Sequence, residues 1–233
     1  GQIVAPTGEE VGLSHQHGYN YLMEMVNRAH LSINIVNKFV EDLADGLKPL
    51  ENWYETSLPA TIDWSLIAYG NGKFVILGDQ SRNMVTFAYS EDAVIWSESM
   101  TITTEKQVMW SGLAFGAGKF VAIGNTTNTG NSTFVYAYSV DGVQWTYQEP
   151  NIGGTVDGVI YGNGKFVTIN GVYSFYSEDG INWNKHEIFN DFQKADFYIG
   201  ISFGGGKFVT IGESTGRVLY STDGISWEEA PKT

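Results

Sequence analysis

Apolar and polar positions along this chain alternate in two different rhythms. From Leu22 the apolar residues run Leu22, Val26, Ala29, Ile33, Val36, Val40 and Leu43. Those steps alternate between four and three, a heptad stripe with β-branched Val26, Ile33 and Val40 at a and Leu22, Ala29, Val36 and Leu43 at d. The stripe predicts one amphipathic helix, with Gly46 as its stop and Pro49 beyond it. After residue 50 the rhythm changes to short apolar runs cut by Gly-rich and Asp-Gly turns, the pattern of strands and hairpins.

The second rhythm repeats. "YGNGKFVILG" returns as "FGAGKFVAIG", "YGNGKFVTIN" and "FGGGKFVTIG", with the lysines at Lys73, Lys119, Lys165 and Lys207. Each copy is followed by S-x-D-[G/A]-x-x-W: Ser90–Trp96, Ser139–Trp145, Ser177–Trp183 and Ser221–Trp227. One unit reads as four strands, A and B joined at N-G-K and C and D joined at the Asp turn. A repeat of 42 to 46 residues with four short strands predicts a β-propeller blade. A β-sandwich is the competing arrangement, but it has no reason to repeat its sequence so closely. Four blades are expected. Five is the alternative, because Trp53 in "ENWYETSLP" aligns with the strand-D tryptophans. The fold class is therefore mainly β, with residues 1–50 as an N-terminal segment carrying a coiled-coil helix and 51–233 as the propeller.

The S-x-D-x-G-x-x-W copies resemble the Asp-box, or BNR, repeat of sialidase-like propellers, and the GKFVxxG copies resemble repeats in bacterial and bacteriophage propeller proteins. The first copy departs by carrying Ala93 where the others have Gly142, Gly180 and Gly224, so its turn is expected to be shaped differently. The Ser and Asp of each copy are expected to cap the turn and the Trp to pack between sheets.

Composition narrows the partners. With 13 basic against 26 acidic residues and a net charge of −13, the chain has no basic cluster with which to hold phosphates, so no nucleic acid is expected. No apolar run reaches the 18–20 residues of a membrane span, and no membrane insertion is expected. There are no cysteines, no phosphate loop, no Ser-His-Asp pattern and no zinc motif, so no cofactor is expected. His15 and His17 in "SHQHG" have the H-x-H spacing that can supply imidazoles to a metal on a threefold axis; solvated loop histidines are the plainer reading, and no metal is assigned.

A stalk helix followed by a GKF-type propeller resembles the receptor-binding proteins of tailed phages that infect Gram-positive bacteria. That resemblance implies a homotrimer, a virion-tail or cell-surface location, and attachment to a cell-surface glycan. A protein-binding or assembly propeller is the alternative. The β-branched d site Val36 suits a trimer. Catalysis of the sialidase type needs a cluster of arginines. The chain has only Arg28, Arg82 and Arg217, so it is expected not to be an enzyme.

Candidate ligand contacts follow from the loops. The A–B and C–D turns are monotonous, whereas the B–C and D–A connections vary and can encode recognition. Six residues before the glycine opening each A–B turn stand Trp64, Trp110, Val156 and Tyr198. The aromatic three, with Asp63, Asp157 and Asp196 nearby as acceptors, form the expected ligand-binding set. Packing of the same rings between blades is the competing role.

Overall fold

The computed structural model describes residues 55–81, 83–127, 132–150, 152–189, 196 and 198–231. The expected helix, His15, His17 and Trp53 lie outside the described residues. Within them the repeat builds four antiparallel four-stranded sheets, each a simple meander. The first contains β1 (Asp63–Gly70), β2 (Lys73–Ser81), β3 (Met84–Ser90) and β4 (Ser97–Thr103). The second contains β5 (Val108–Gly116), β6 (Lys119–Thr126), β7 (Phe134–Ser139) and β8 (Thr146–Gln148). The third contains β9 (Asp157–Gly162), β10 (Lys165–Asn170), β11 (Tyr173–Ser177) and β12 (Asn184–Glu187). The fourth contains β13 (Tyr198–Gly204), β14 (Lys207–Gly212), β15 (Val218–Ser221) and β16 (Glu228–Glu229).

Each sheet begins with the same two-residue hairpin. Asn71–Gly72, Ala117–Gly118, Asn163–Gly164 and Gly205–Gly206 all have positive φ at both positions, which matches the twist of the strands they join. The Asp turn follows between the third and fourth strands. Asp141 Oδ1 accepts the amides of Val143 and Gln144 at 2.8 Å each, and Asp92, Asp179 and Asp223 repeat the arrangement. The first turn differs in one bond. The Gly142, Gly180 and Gly224 amides donate to Ser139, Ser177 and Ser221 Oγ, and the Ala93 amide makes no such bond to Ser90. Its backbone keeps the same hand: at φ 59° Ala93 takes the left-handed conformation that Gly142, Gly180 and Gly224 hold at 73–75°.

The sheets stack in sequence order, β1 on β5, β5 on β9 and β9 on β13, so the first strands lie innermost. Three seams result, each filled by one apolar cluster. Their chemistry repeats. The aromatic of one blade lies on a glycine of the blade before it: a Cβ on Gly70 would fall 2.0 Å from Phe115, on Gly116 2.0 Å from Tyr161, and on Gly162 2.4 Å from Phe203. The glycine of the Asp turn meets the previous blade's valine, with a Cβ on Gly142, Gly180 or Gly224 falling 2.8, 2.6 or 2.4 Å from Val75, Val121 or Val167. No side chain fits at either place without moving its neighbour.

The fourth contact of this kind is absent. Val75, Val121 and Val167, like Leu77, Ile123 and Ile169, are wholly buried, whereas the matching Val209 and Ile211 are 39% and 44% exposed. β14 accordingly alternates buried and exposed positions while β10 is covered on both sides. Gly204 meets no neighbour. Among the described residues the four blades form an arc with two free ends, not a closed ring.

Candidate functional site

The monotonous turns share one end of the arc, as the hydrogen bonds between them show. Asn71 Nδ2 donates to the Val140 carbonyl at 3.1 Å, and Asn163 Nδ2 donates to Gly206 and Thr222 at 2.9 and 2.8 Å. The variable connections meet at the other end. There the Thr104 amide donates to the Asn83 carbonyl, and the Gly171 amide to the Asp196 carbonyl.

At this variable end the expected ligand residues separate into two groups. Tyr198 is wholly buried between the third and fourth blades, beside Ile169 and Leu219, and offers no ring face to a ligand. Asp196 is also buried; it accepts the amides of Ser214 and Thr215 and the Thr215 hydroxyl, closing the β14–β15 connection. Val156, the one aliphatic member of its position, is wholly buried too. Trp110 is half-buried, its ring edge-on to Phe87 across the first seam and to Tyr147 of its own blade. Trp64 is half-buried over Gly78, and its indole N–H donates to the Ala60 carbonyl at 3.0 Å. The three rings thus serve different blades and do not make one platform.

Two carboxylates do come together. Asp63 and Asp79 are directly paired across β1 and β2, and both are exposed. Residues so paired have Cβ atoms about 4.5–5.5 Å apart on one face of the sheet. Partial burial, and then the charge of Asp63, push the Asp79 carboxyl above the ordinary aspartate range. The face is set by the alternation of the strand: Asp79 shares the side of Leu77, which packs in the first seam.

The four blades fill this place differently, with Asp79, Asn125, Gly171 and Glu213. Asn125 holds the same position in the second blade. Its side chain donates to the Val156 carbonyl at 2.7 Å and accepts the Val156 amide at 2.8 Å, clamping the next inner strand. Val156 corresponds to Trp110. Asp79 carries an acceptor-only carboxylate at the position where Asn125 has an amide able to do both jobs. Sequence reasoning missed Asp79. The signal was the register that sets it against Asp63.

Asp157 is half-buried, paired with Ile169 of its own blade. Burial raises its pKa, and Asn170 Nδ2 donates to it at 2.8 Å. The described residues hold no group of three His, Cys, Asp or Glu side chains placed to bind a metal.

No protein-family model matches the chain, and no curated protein matches it in sequence. Solved structures do match in fold. YCF48 bound to D1 peptide aligns at TM-score 0.56 and 15% identity, over 79% of this chain and 58% of that one. YjhT aligns at 0.54 and 12%, over 77% and 68%. A Trypanosoma rangeli sialidase in complex with a difluorinated sugar acid aligns at 0.50 and 16%, over 76% and 38%. The fold is a β-propeller. The chain spans less than two thirds of the length of the YCF48 and sialidase chains it matches.

The sialidase corrects the expectation that this chain is not an enzyme. A propeller of this fold occurs in a sialidase, so the fold gives no ground for excluding an enzyme. The arginine argument reached only substrates held through a carboxylate, and it left hydrolysis by a pair of carboxylates untouched.

Proposed function

We propose that this chain is an attachment head whose variable end binds a cell-surface glycan, as in the receptor-binding proteins of tailed phages of Gram-positive bacteria. The observation supporting it is the exposed Asp63–Asp79 pair at the variable end of the first blade. A sugar offers vicinal hydroxyls that donate to two neighbouring carboxylates, and its C–H face suits an aromatic ring. Asp79 is a pure acceptor where the second blade has the Asn125 amide, and an acceptor suits the donating hydroxyls of a polyol.

A second reading has its own support. The YCF48 structure that resembles this chain holds a peptide, and an acidic end of this kind would attract a basic segment of a protein. Isolated bacterial walls separate the two. Protease-treated walls that keep their polysaccharide retain the protein if the ligand is a glycan. Walls stripped of polysaccharide but keeping their proteins retain it if the ligand is a protein, and that result overturns the glycan reading.

A further inference from the structure

The free face of the fourth blade is a made surface without its partner. Val209, Ile211, Ile201 and Val218 line a shallow depression of about 460 Å³ on it. Val209, Ile211 and Val218 occupy positions that a neighbouring blade covers elsewhere, and Ile201 reaches the rim from the third seam. Val218 stands where Phe87 stacks on Trp145, where Tyr136 donates to the Ile181 carbonyl, and where Ser174 donates to the Gly224 carbonyl.

The first blade cannot fill that place by repeating the seam, whether from the same chain or from a second copy. Its turn carries Ala93, and the three internal seams leave only 2.4–2.8 Å between such a Cβ and the facing valine. Valine is stiff at χ1 and cannot swing aside cheaply. Ala93 is admissible because, among the described residues, no neighbouring blade packs on this turn. The first blade is an end blade, whereas the fourth keeps the apolar residues of an interior one.

We propose that the apolar stripe Leu22–Leu43 of the same chain covers the free face of the fourth blade. Residues 1–54 contain neither the GKF stretch nor the S-x-D-x-x-x-W turn, so they cannot supply a fifth blade of the same kind. They do carry a one-sided row of Leu, Val and Ile, which has to be buried against something. The chain enters the described body at the open side of the arc, where the Thr56 hydroxyl donates to the Val94 carbonyl beside the uncovered first turn. Drawn as a helix, residues 22–43 measure about 33 Å, and a six-residue strand about 20 Å, so the stripe is long enough to cross the sheet. A helix laid on the open face of a sheet is an ordinary way to complete a layer.

The chain has no cysteine, so single thiols report covering directly. In the full chain, Ile211→Cys is labelled by a thiol reagent and compared with Glu178→Cys, an exposed turn position. Labelling at position 211 is expected to be at least tenfold slower. It should rise to the control rate when Val26, Ile33 and Val40 are all changed to Asp, while circular dichroism keeps its strand signal. Light scattering on the same samples should show that the protection does not depend on concentration. Equal labelling at both positions overturns the proposal. So does protection found only in an oligomer, which would assign the cover to another copy. Neither result tests glycan binding at the Asp63–Asp79 pair of the first blade, which the wall-binding experiment addresses.

Discussion

The Phe87 ring lies flat against Trp145, with centroids 3.8 Å apart and planes 17° from parallel. One residue belongs to the third strand of the first blade and the other to the turn of the second, so the stack is the seam between them. Trp145 also bonds through its indole N–H to the Gly142 carbonyl of its own turn. Turn, ring and neighbouring blade are fastened at one point.

Trp145→Ala should therefore cost about 3–5 kcal/mol, the usual loss for a buried tryptophan. Phe87→Ala should be comparable, and a double-mutant cycle should recover about 0.5–1.5 kcal/mol of coupling from the stack. Urea unfolding checks both. Additive losses would show that the two rings act separately.

Gly180 and Ala93 occupy equivalent turns with unequal surroundings. Gly180→Ala combines a φ of 74° with a Cβ 2.6 Å from Val121, and should be clearly destabilising. Ala93→Gly should change the melting temperature little, since the conformation already exists and no blade presses on it. A calorimetric scan of the two variants suffices. Equal effects would contradict the account of the seams.

Acid should loosen the turns. Burial alone would raise the Asp179 pKa, but the Asn182 and Ile181 amides, with the Asn182 and Ser177 side chains, bring it down to about 2. Its folded value is thus below its unfolded one, so its stabilising contribution is complete above the ordinary aspartate range and is lost as pH falls toward 2. Asp179→Asn should flatten the acid limb of the stability curve over that window, leaving stability near pH 7 less dependent on further acidification.

Asp79 behaves oppositely. Its raised pKa means that ionisation costs stability in the folded state, so its contribution worsens as pH rises through the folded value. Asp79→Asn removes that ionisation and should leave the protein as stable as the parent or slightly more so at neutral pH. Ligand binding should weaken in the same variant, and in the wild type as Asp79 protonates above the normal aspartate range. Thermal melts and pH-dependent binding read the two effects separately.

What was legible in the sequence follows from how local each interaction is. The hairpin at Asn71–Gly72 and the turn at Asp141 are settled within three residues, and both were readable. Trp110 and Tyr198 were recognised as a set, but only the next blade in space decides that Tyr198 is enclosed and Trp110 half open. Asp79 escaped because its meaning lies across the strand, opposite Asp63. Ala93 looked like a different turn, and the difference is one missing bond to Ser90 and, among the described residues, no blade against it.

Binding of purified wall polysaccharide to the wild type and to an Asp63→Asn, Asp79→Asn variant, measured side by side by calorimetry, tests the central claim. The account predicts saturable binding by the wild type and at least a tenfold loss in the variant, with the variant as stable as the parent or more so. Undiminished binding by a folded variant would contradict it.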